Sequence, residues 1–377
     1  MTDTKLKQNH EPLIHITKRD DSGFWKSALV HLIGIVIALM LSSLLIIAVT
    51  GQNPMALFKS MYEGVIGTPI ANSGINKKYV ESLHIVAILL CISLAVTPAF
   101  KMKFWNIGAE GQVLMGCLAS AYCMIEFGGK MDNTVLLLVM LAASILVGAI
   151  WAVIPAICKA FWNTNETLFT LMMNYVAMTL VSYFIMVKDK SGRSDLGIIN
   201  ERTGYGYLPN LFERNYIFNI IIVAAVTVLM FVYLKYSKQG YEISVVGESE
   251  NTARYIGINV KEVIIRTVAI SGAICGLVGF MIIAGDKHSI KDDIVGGQGF
   301  TAIMVSWMAG FNPIVMIPVS MLIVFLSVGS KFATSAFKLD NSIGDILTAI
   351  VIFSIIACEF FIRYKVNFRK SVKGDKS

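Results

Sequence analysis

The stretch Asn106-Ile107-Gly108-Ala109-Glu110-Gly111-Gln112 decides the reading of this chain, because it is polar and lies inside apolar sequence. Residues 89–95 precede it, Lys101-Met102-Lys103 stands at its near edge, and residues 113–124 follow almost without polar side chains. Asparagine, glutamate and glutamine are costly at membrane depth unless they face a cavity or a partner. The two glycines permit irregular backbone, which is tolerated there only where protein or water covers it. A polar, glycine-bearing break in an apolar run points to the central region of a transporter. The same residues would also serve a kinked helix whose polar groups bond neighbouring helices, and the stretch alone leaves these two readings even.

The rest of the composition agrees with a polytopic, all-α membrane protein. Of 377 residues, 55% are hydrophobic and 15% charged, and the mean hydropathy is +0.67. A soluble core would not need so many nearly uncharged runs of helix-spanning length. The formal net charge of +7 fits basic cytoplasmic ends facing membrane lipid. No basic stripe with interleaved aromatics appears, which argues against nucleic acid. The cysteines (Cys91, Cys117, Cys123, Cys158, Cys275 and Cys358) sit in apolar stretches without ligand spacing, and the histidines (His10, His15, His31, His84 and His288) are scattered. No metal site is expected from them.

Along the chain, residues 1–26 form a polar tail that is too long to precede a cleavable signal's apolar core, so the first span, 27–49, is a retained anchor. Residues 51–81 are mixed. Further spans are expected over 83–99, 107–127, 134–161 (kinked by Pro155) and 168–186. After the long polar connection 187–215 come 216–234 and 263–284, the latter carrying a Gly272-x-x-x-Gly276 spacing suited to close helix approach. The next run is broken at Phe311-Asn312-Pro313 into 300–310 and 314–328, and 343–362 ends the series before a basic tail, 363–377. Counting the broken pair as two gives about ten crossings in a permease domain of 27–362. Lys/Arg-rich termini place both ends in the cytoplasm, although the outer 187–215 connection carries basic residues that resist this orientation. The order span, polar glycine cluster, span recurs as 263–284, Gly296-Gly297-Gln298-Gly299, then 300–310. Five crossings separate the copies, so the halves would be inverted.

Two other segments carry chemistry. The island Asn163-Thr164-Asn165-Glu166 leads into the span with Asn174; Asn163 or Thr164 is the expected cap, with Glu166 near the helix's positive end. In the cytoplasmic loop 236–262, the run Gly247 to Gly257 predicts a helix of about two turns over 249–257. Ser249 is its N-cap, Glu250 its first turn and Gly257 its left-handed stop. So short a helix needs a docking partner.

Taken together, Asn106 to Gln112, Asn165-Glu166 with Leu171-Met172-Met173-Asn174-Tyr175, the run 247–259 and Gly299-Phe300-Thr301-Ala302 with Asn312-Pro313 resemble one family over residues 28–362, in the right order. It is the branched-chain amino acid/simple-sugar class of ABC importer permeases, and the likeness is greatest to its nucleoside-uptake subfamily, guanosine transport included. The resemblance implies a fold like that of the vitamin-B12-type (type II) importers, with an inverted repeat and broken helices. It implies a heterodimer with a second permease subunit, a cytosolic ATPase and an extracytoplasmic substrate-binding lipoprotein as partners, in a bacterial plasma membrane. Candidate pathway residues carried over from it are Asn106, Glu110, Gln112, Asn165, Glu166, Asn174 and Gln298, with Phe300, Trp307 and Trp105 to flank a base or sugar ring. Coupling to the ATPase is carried over to Glu248, Ser249, Glu250, Asn251, Ala253, Arg254, Tyr255 and Gly257.

The chain lacks the glycine–lysine phosphate loop of an ATPase, so no cofactor is expected on it and ATP with magnesium belongs to the partner. Paired carboxylates at Asp292-Asp293 and Glu248/Glu250 lie in loops without a nucleophile and are not expected to make an enzyme. The expected function is nucleoside import by ATP-driven alternating access. A simple-sugar permease, and an ion-coupled secondary transporter using Glu110 and Glu166, are the alternatives.

Overall fold

The computed structural model describes residues 14–18, 24–67, 77–190, 192–209 and 216–368. Most of the expected terminal tails, and Glu213 and Arg214 of the 187–215 connection, lie outside those residues. In chain order the elements begin with β1 (Ile14–Lys18), α1 (Phe24–Thr50), α2 (Pro54–Ile66), α3 (Lys77–Lys101), α4 (Ala109–Phe127) and α5 (Asn133–Trp162). They continue with α6 (Glu166–Lys188), α7 (Ile217–Tyr236), α8 (Lys238–Glu248), α9 (Glu250–Tyr255) and α10 (Val260–Ile282), which runs into a π turn at Ile283–Lys287. The last are α11 (Gln298–Met308), α12 (Pro313–Ala336), α13 (Asn341–Arg363) and β2 (Tyr364–Phe368).

Among the described residues six helices are long and apolar enough to cross a membrane, and the bent pair formed by α1 and α2 makes a seventh. The expected tenfold count is therefore not reproduced by length and hydropathy. α4 is broken in on by its own polar start, α11 has only 11 residues, and α13 qualifies only as a shorter apolar helix. Several elements were not foreseen, α8 of the 236–262 loop among them. Residues 51–81, read as mixed, contain α2, bent by 109° from α1. The tail of 1–26 contributes β1, which pairs antiparallel with β2 from Ile14 opposite Phe368 to Lys18 opposite Tyr364.

Backbone contacts divide the chain into two units, 1–62 with 329–377, and 63–328. In the first, α1 lies along α13, with Gly34 making room for the Cys358 thiol. The second holds the large core. Its central helix is α3, where 89% of the most apolar window is buried, against 22% for α5 and 28% for α6 and α7. A helix apolar on every side belongs in the centre, and the outer ones expose their apolar faces to lipid.

α10 meets α5 through the predicted glycine pair. A Cβ on Gly276 would stand 2.1 Å from the Ser144 carbonyl oxygen, and one on Gly272 would stand 2.3 Å from the Ala152 methyl. Only glycine lets these backbones approach so closely. The expected cap of α6 is corrected. Asn165, not Asn163 or Thr164, accepts the Leu168 N–H at 3.1 Å, whereas Asn163 ends α5 in the left-handed conformation, its N–H bonded to the Lys159 carbonyl. A cap must sit one residue before the first helical turn, and α6 starts at Glu166.

The π turn has a local cause. Asn219 of α7 reaches into it, donating to the Met281 carbonyl at 3.2 Å and facing His84 Nε2 at 3.0 Å. An inserted side chain of this kind displaces the regular helical ladder. Residues 196–208 of the connection before α7 form a strap. Leu208, Ile199 and Leu196 donate their N–H groups to the carbonyls of Ala284, His288 and Ile290, and the Tyr207 and His288 rings stack at 3.7 Å.

Candidate functional site

The polar stretch around Asn106 becomes a turn followed by a helix start. α3 ends at Lys101, Lys103 adopts a left-handed φ of 62°, and α4 begins at Ala109 without a side-chain cap. Asn106 fills that gap from outside the helix. Its Oδ1 accepts the Gly108 N–H at 3.1 Å and Gln112 Nε2 at 3.0 Å, and its Nδ2 donates to Ser271 Oγ of α10 at 3.3 Å. From α6, Asn174 Oδ1 accepts the Gly111 N–H at 2.9 Å while its Nδ2 donates to the Ile107 carbonyl at 3.0 Å. Thr170, one turn earlier, accepts the Ile107 N–H at 3.2 Å. Asn106, Gln112 and Asn174 are buried at 0%, 1% and 2% exposure, so their polar groups are spent on joining α4, α6 and α10.

Glu110 does the same for α11. Its Oε1 accepts the Gly297 N–H at 2.8 Å and its Oε2 the Gly299 N–H at 2.7 Å. A Cβ on Gly299 would stand 2.5 Å from the Glu110 backbone nitrogen, so the two chain segments touch through their backbones. The carboxylate, 3% exposed, thus sits at the amino end of its own helix α4 and at that of α11. Both helix ends favour negative charge, and no cation pairs with it among the described residues. Lower on α11, Ser306 bonds Thr97 of α3 at 2.9 Å. The two glycine clusters that echo each other in sequence therefore meet in space at one carboxylate.

The remaining candidates are scattered around this knot. Glu166 is paired with Lys159 at 2.9 Å, and Asn165 is an exposed cap. Gln298 Oε1 is buried without a hydrogen-bond partner among the described residues. Phe300 and Trp307 lie seven positions apart on α11 and are 37% and 47% exposed. Trp307 stands 5.2 Å from Trp105 between ring centroids, with Phe100 edge-on to both. Thr97, Thr170, Ser271 and Ser306 were missed in the sequence, because a hydroxyl in an apolar run commonly bonds its own preceding turn, as Thr97 also does to the Ser93 carbonyl at 2.7 Å.

The loop 236–262 folds as two helices, not one. α8 was not anticipated; its Gly247 lies against the Lys101 carbonyl, where a Cβ would stand 2.1 Å away. Ser249 caps α9 as predicted, accepting the Thr252 N–H at 3.2 Å, and Gly257 stops it with φ +86°. Ala253 is fully buried in a small core with Ile243, Val246 and Val260. Arg254 pairs with Glu250 one turn away at 3.1 Å, and Tyr255 is 92% exposed. Glu248 ends α8, and Asn251 stands exposed in the first turn of α9. The helix is anchored by one face and presents the other.

Long apolar helices tied by buried amides make a multi-pass membrane protein. The sequence profile of the family described as branched-chain amino acid transport system / permease component matches residues 79–356, and the chain belongs to that family. It is thus a multi-pass permease component of an ABC transporter. Similar proteins include the guanosine ABC transporter permease protein NupP of Bacillus subtilis, 27% identical over 89% of this chain and 94% of that one. The nucleoside ABC transporter permease protein NupB of Lactococcus lactis is 24% identical over 93% and 96%. The glucose ABC transporter permease protein TsgB13 of Haloferax volcanii is 29% identical over 76% and 78%.

Proposed function

We propose that this chain is the permease subunit of an ABC importer that carries nucleosides into the cytoplasm by ATP-driven alternating access. The observation that carries the reading is the pair of relatives named for guanosine and nucleoside transport, which align along 89% and 93% of the chain. A cytosolic ATPase, a second permease subunit and an extracytoplasmic binding lipoprotein complete the system, in a bacterial plasma membrane with both termini inside. The chain itself hydrolyses nothing; ATP and magnesium reside on the ATPase.

In this reading α1, α3 to α7 and α10 to α13 make ten passes in a vitamin-B12-importer-like arrangement with inverted halves. At 11 residues α11 reaches about 16 Å, roughly half the hydrocarbon thickness, so it is the half-helix of a broken pass. The meeting of the Gly108 and Gly297 regions at Glu110 supports a central axis there. Asn106, Glu110, Gln112, Asn174 and Gln298 support the path from behind, while exposed Phe300, Trp105 and Trp307 flank the solute. Asn165 and Glu166 stand at its rim. α9, with Glu248 to Gly257, is the coupling helix, Tyr255 and Asn251 being offered to the ATPase groove.

Both intramembrane acids have fixed partners, Glu110 on two N–H groups and Glu166 on Lys159. That disfavours an ion-coupled mechanism, which needs an acid that changes partners. A simple sugar is the second substrate reading, favoured by the relative named for glucose. Radiolabelled guanosine and ribose uptake, with and without this chain and chased by unlabelled nucleosides, tests the proposal. Nucleoside-competed uptake that vanishes with the chain and with its ATPase is expected. Uptake of ribose alone moves the protein to the sugar reading, and transport that survives ATPase loss overturns the ABC mechanism.

A further inference from the structure

At the end of the bundle that carries α8 and α9, the last turn of α7, the first turn of α8, the end of α3 and the break between α11 and α12 enclose a cleft of about 470 Å³. Its polar lining includes Lys101, Lys235 and Asn312, and its walls include Phe231, Leu234 and Phe311. Of the other basic groups at this end, Arg266 pairs with Glu242 at 2.7 Å, Lys159 with Glu166 and Arg254 with Glu250, while Lys261 lies over the Phe161 ring and Lys103 is exposed. Lys101 and Lys235 have no carboxylate partner among the described residues. Lys101 is half-buried. Lys235 Nζ instead lies over aromatic faces, 5.3 Å from the Phe231 ring centre and 5.6 Å from that of Tyr236. The start of α12 lines the same cleft through Asn312, whose Oδ1 accepts the Ile314 N–H at 3.1 Å, and Pro313. The positive end of a 24-residue helix is thereby added to the two ammonium groups.

Lys101 is a half-buried cation without a counter-charge, which is unfavourable, and with the exposed Lys235 and a helix start beside it the cleft marks a place for an anion. The surroundings specify what kind. Tyr241, which lines the cleft, and Tyr236, next to Lys235, are 61% and 69% exposed, as aromatic residues are at the level of lipid headgroups. One to two turns along α7, Val228, Leu229 and Val232 present an exposed apolar face. We propose that the cleft binds one anionic glycerophospholipid, its phosphate between Lys101 and Lys235 and its acyl chains along α7. Basic pockets between helices at a membrane surface are suited to such headgroups. The bound lipid joins the α7–α8 corner, which leads to α9, to the α11–α12 break. This site does not depend on which solute the permease carries.

The test is native mass spectrometry of the full chain, purified in detergent, delipidated and titrated with phosphatidylglycerol or phosphatidylcholine. Phosphatidylglycerol should be retained about tenfold better or more, given two basic contacts. K101Q/K235Q should remove most of that preference while phosphatidylcholine retention stays the same. Lys235→Gln alone changes an exposed side chain and carries the same comparison if the double variant is recovered unfolded. Equal retention of the two lipids, or an unchanged preference in the variants, overturns the proposal. So does displacement of phosphatidylglycerol by millimolar inorganic phosphate, which makes this a free-anion site, or by added ATPase, which makes it a protein contact.

Discussion

The Glu110 carboxylate and the Gly299 amide, 189 positions apart in the chain, meet at 2.7 Å. The bond ties the start of α4 to the start of α11, and the companion bond to Gly297 at 2.8 Å uses the second carboxylate oxygen. Glu110→Gln keeps the shape but turns one acceptor into a donor facing an N–H. A charge-assisted hydrogen bond contributes about 2 kcal/mol, and the orphaned N–H adds a penalty of its own. The variant should melt several degrees lower in detergent and lose most uptake, whereas Gln112→Glu, two positions along and bonded to Asn106, should leave the α11 contact intact. Thermal unfolding followed by intrinsic fluorescence checks this, and an unchanged Glu110→Gln melting temperature would contradict it.

Gly299→Ala should be more damaging than its single methyl suggests. The added Cβ would lie 2.5 Å from the Glu110 nitrogen and 2.8 Å from its Cα, atoms of backbone that cannot rotate away. Gly257→Ala meets nothing within 4 Å and is strained only through its φ of +86°, which costs about 1 kcal/mol. Expression and size-exclusion profiles should show Gly299→Ala poorly folded and Gly257→Ala nearly normal. The reverse ranking would place the tight contact elsewhere.

Tyr255, at 92% exposure, contributes almost nothing to the fold of the isolated chain. Tyr255→Ala should leave its stability within about 0.5 kcal/mol yet reduce uptake and co-purification of the ATPase. Arg254→Glu faces Glu250, its present ion-pair partner, with a like charge, and Ser249→Pro removes the cap of α9. Both should uncouple transport while membrane insertion persists. Normal uptake by either, with the ATPase present, would remove α9 from the coupling role.

The strap before α7 should loosen in acid. His288 stacks on Tyr207, and burial lowers its pKa below the usual histidine value of 6.5, against smaller opposing effects of the Ile283 carbonyl and Asp286. The folded strap therefore favours neutral imidazole. Its full stability is present above about pH 6.5, and it falls as the pH drops below that towards the lowered folded value. Protection of the Leu208 and Ile199 amides, taken relative to their intrinsic exchange rates at each pH, should fall between pH 7.5 and 5.5, and His288→Phe should flatten that dependence. Protection independent of pH in the native chain would contradict the assignment.

The length and order of the apolar runs gave most helices to within three residues, because a run of that length without charge has few other folds. α2 and α8 escaped notice for different reasons. α2 mixes Lys59 and Glu63 into a short run, and α8 carries Gly240 and Gly247, which argue against a helix on propensity. Both glycines are nonetheless required, since a Cβ on Gly240 would stand 2.5 Å from the Tyr233 carbonyl oxygen. The cap of α6 was ambiguous because three polar residues in a row, Asn163, Thr164 and Asn165, all have capping side chains.

By itself the sequence determined that this chain is a helical, multi-pass membrane protein, that its polar breaks lie at Asn106 to Gln112 and Gly296 to Gly299, and that Ser249 opens a short capped helix. Those features are local: hydropathy, glycine and capping groups act within a few residues of themselves. Only the tertiary structure decided that Asn106 bonds Ser271, that Asn174 closes on Ile107 and Gly111, and that Glu110 holds Gly297 and Gly299. A buried amide or carboxylate must find partners, but which partners depends on which distant helices the packing brings alongside it.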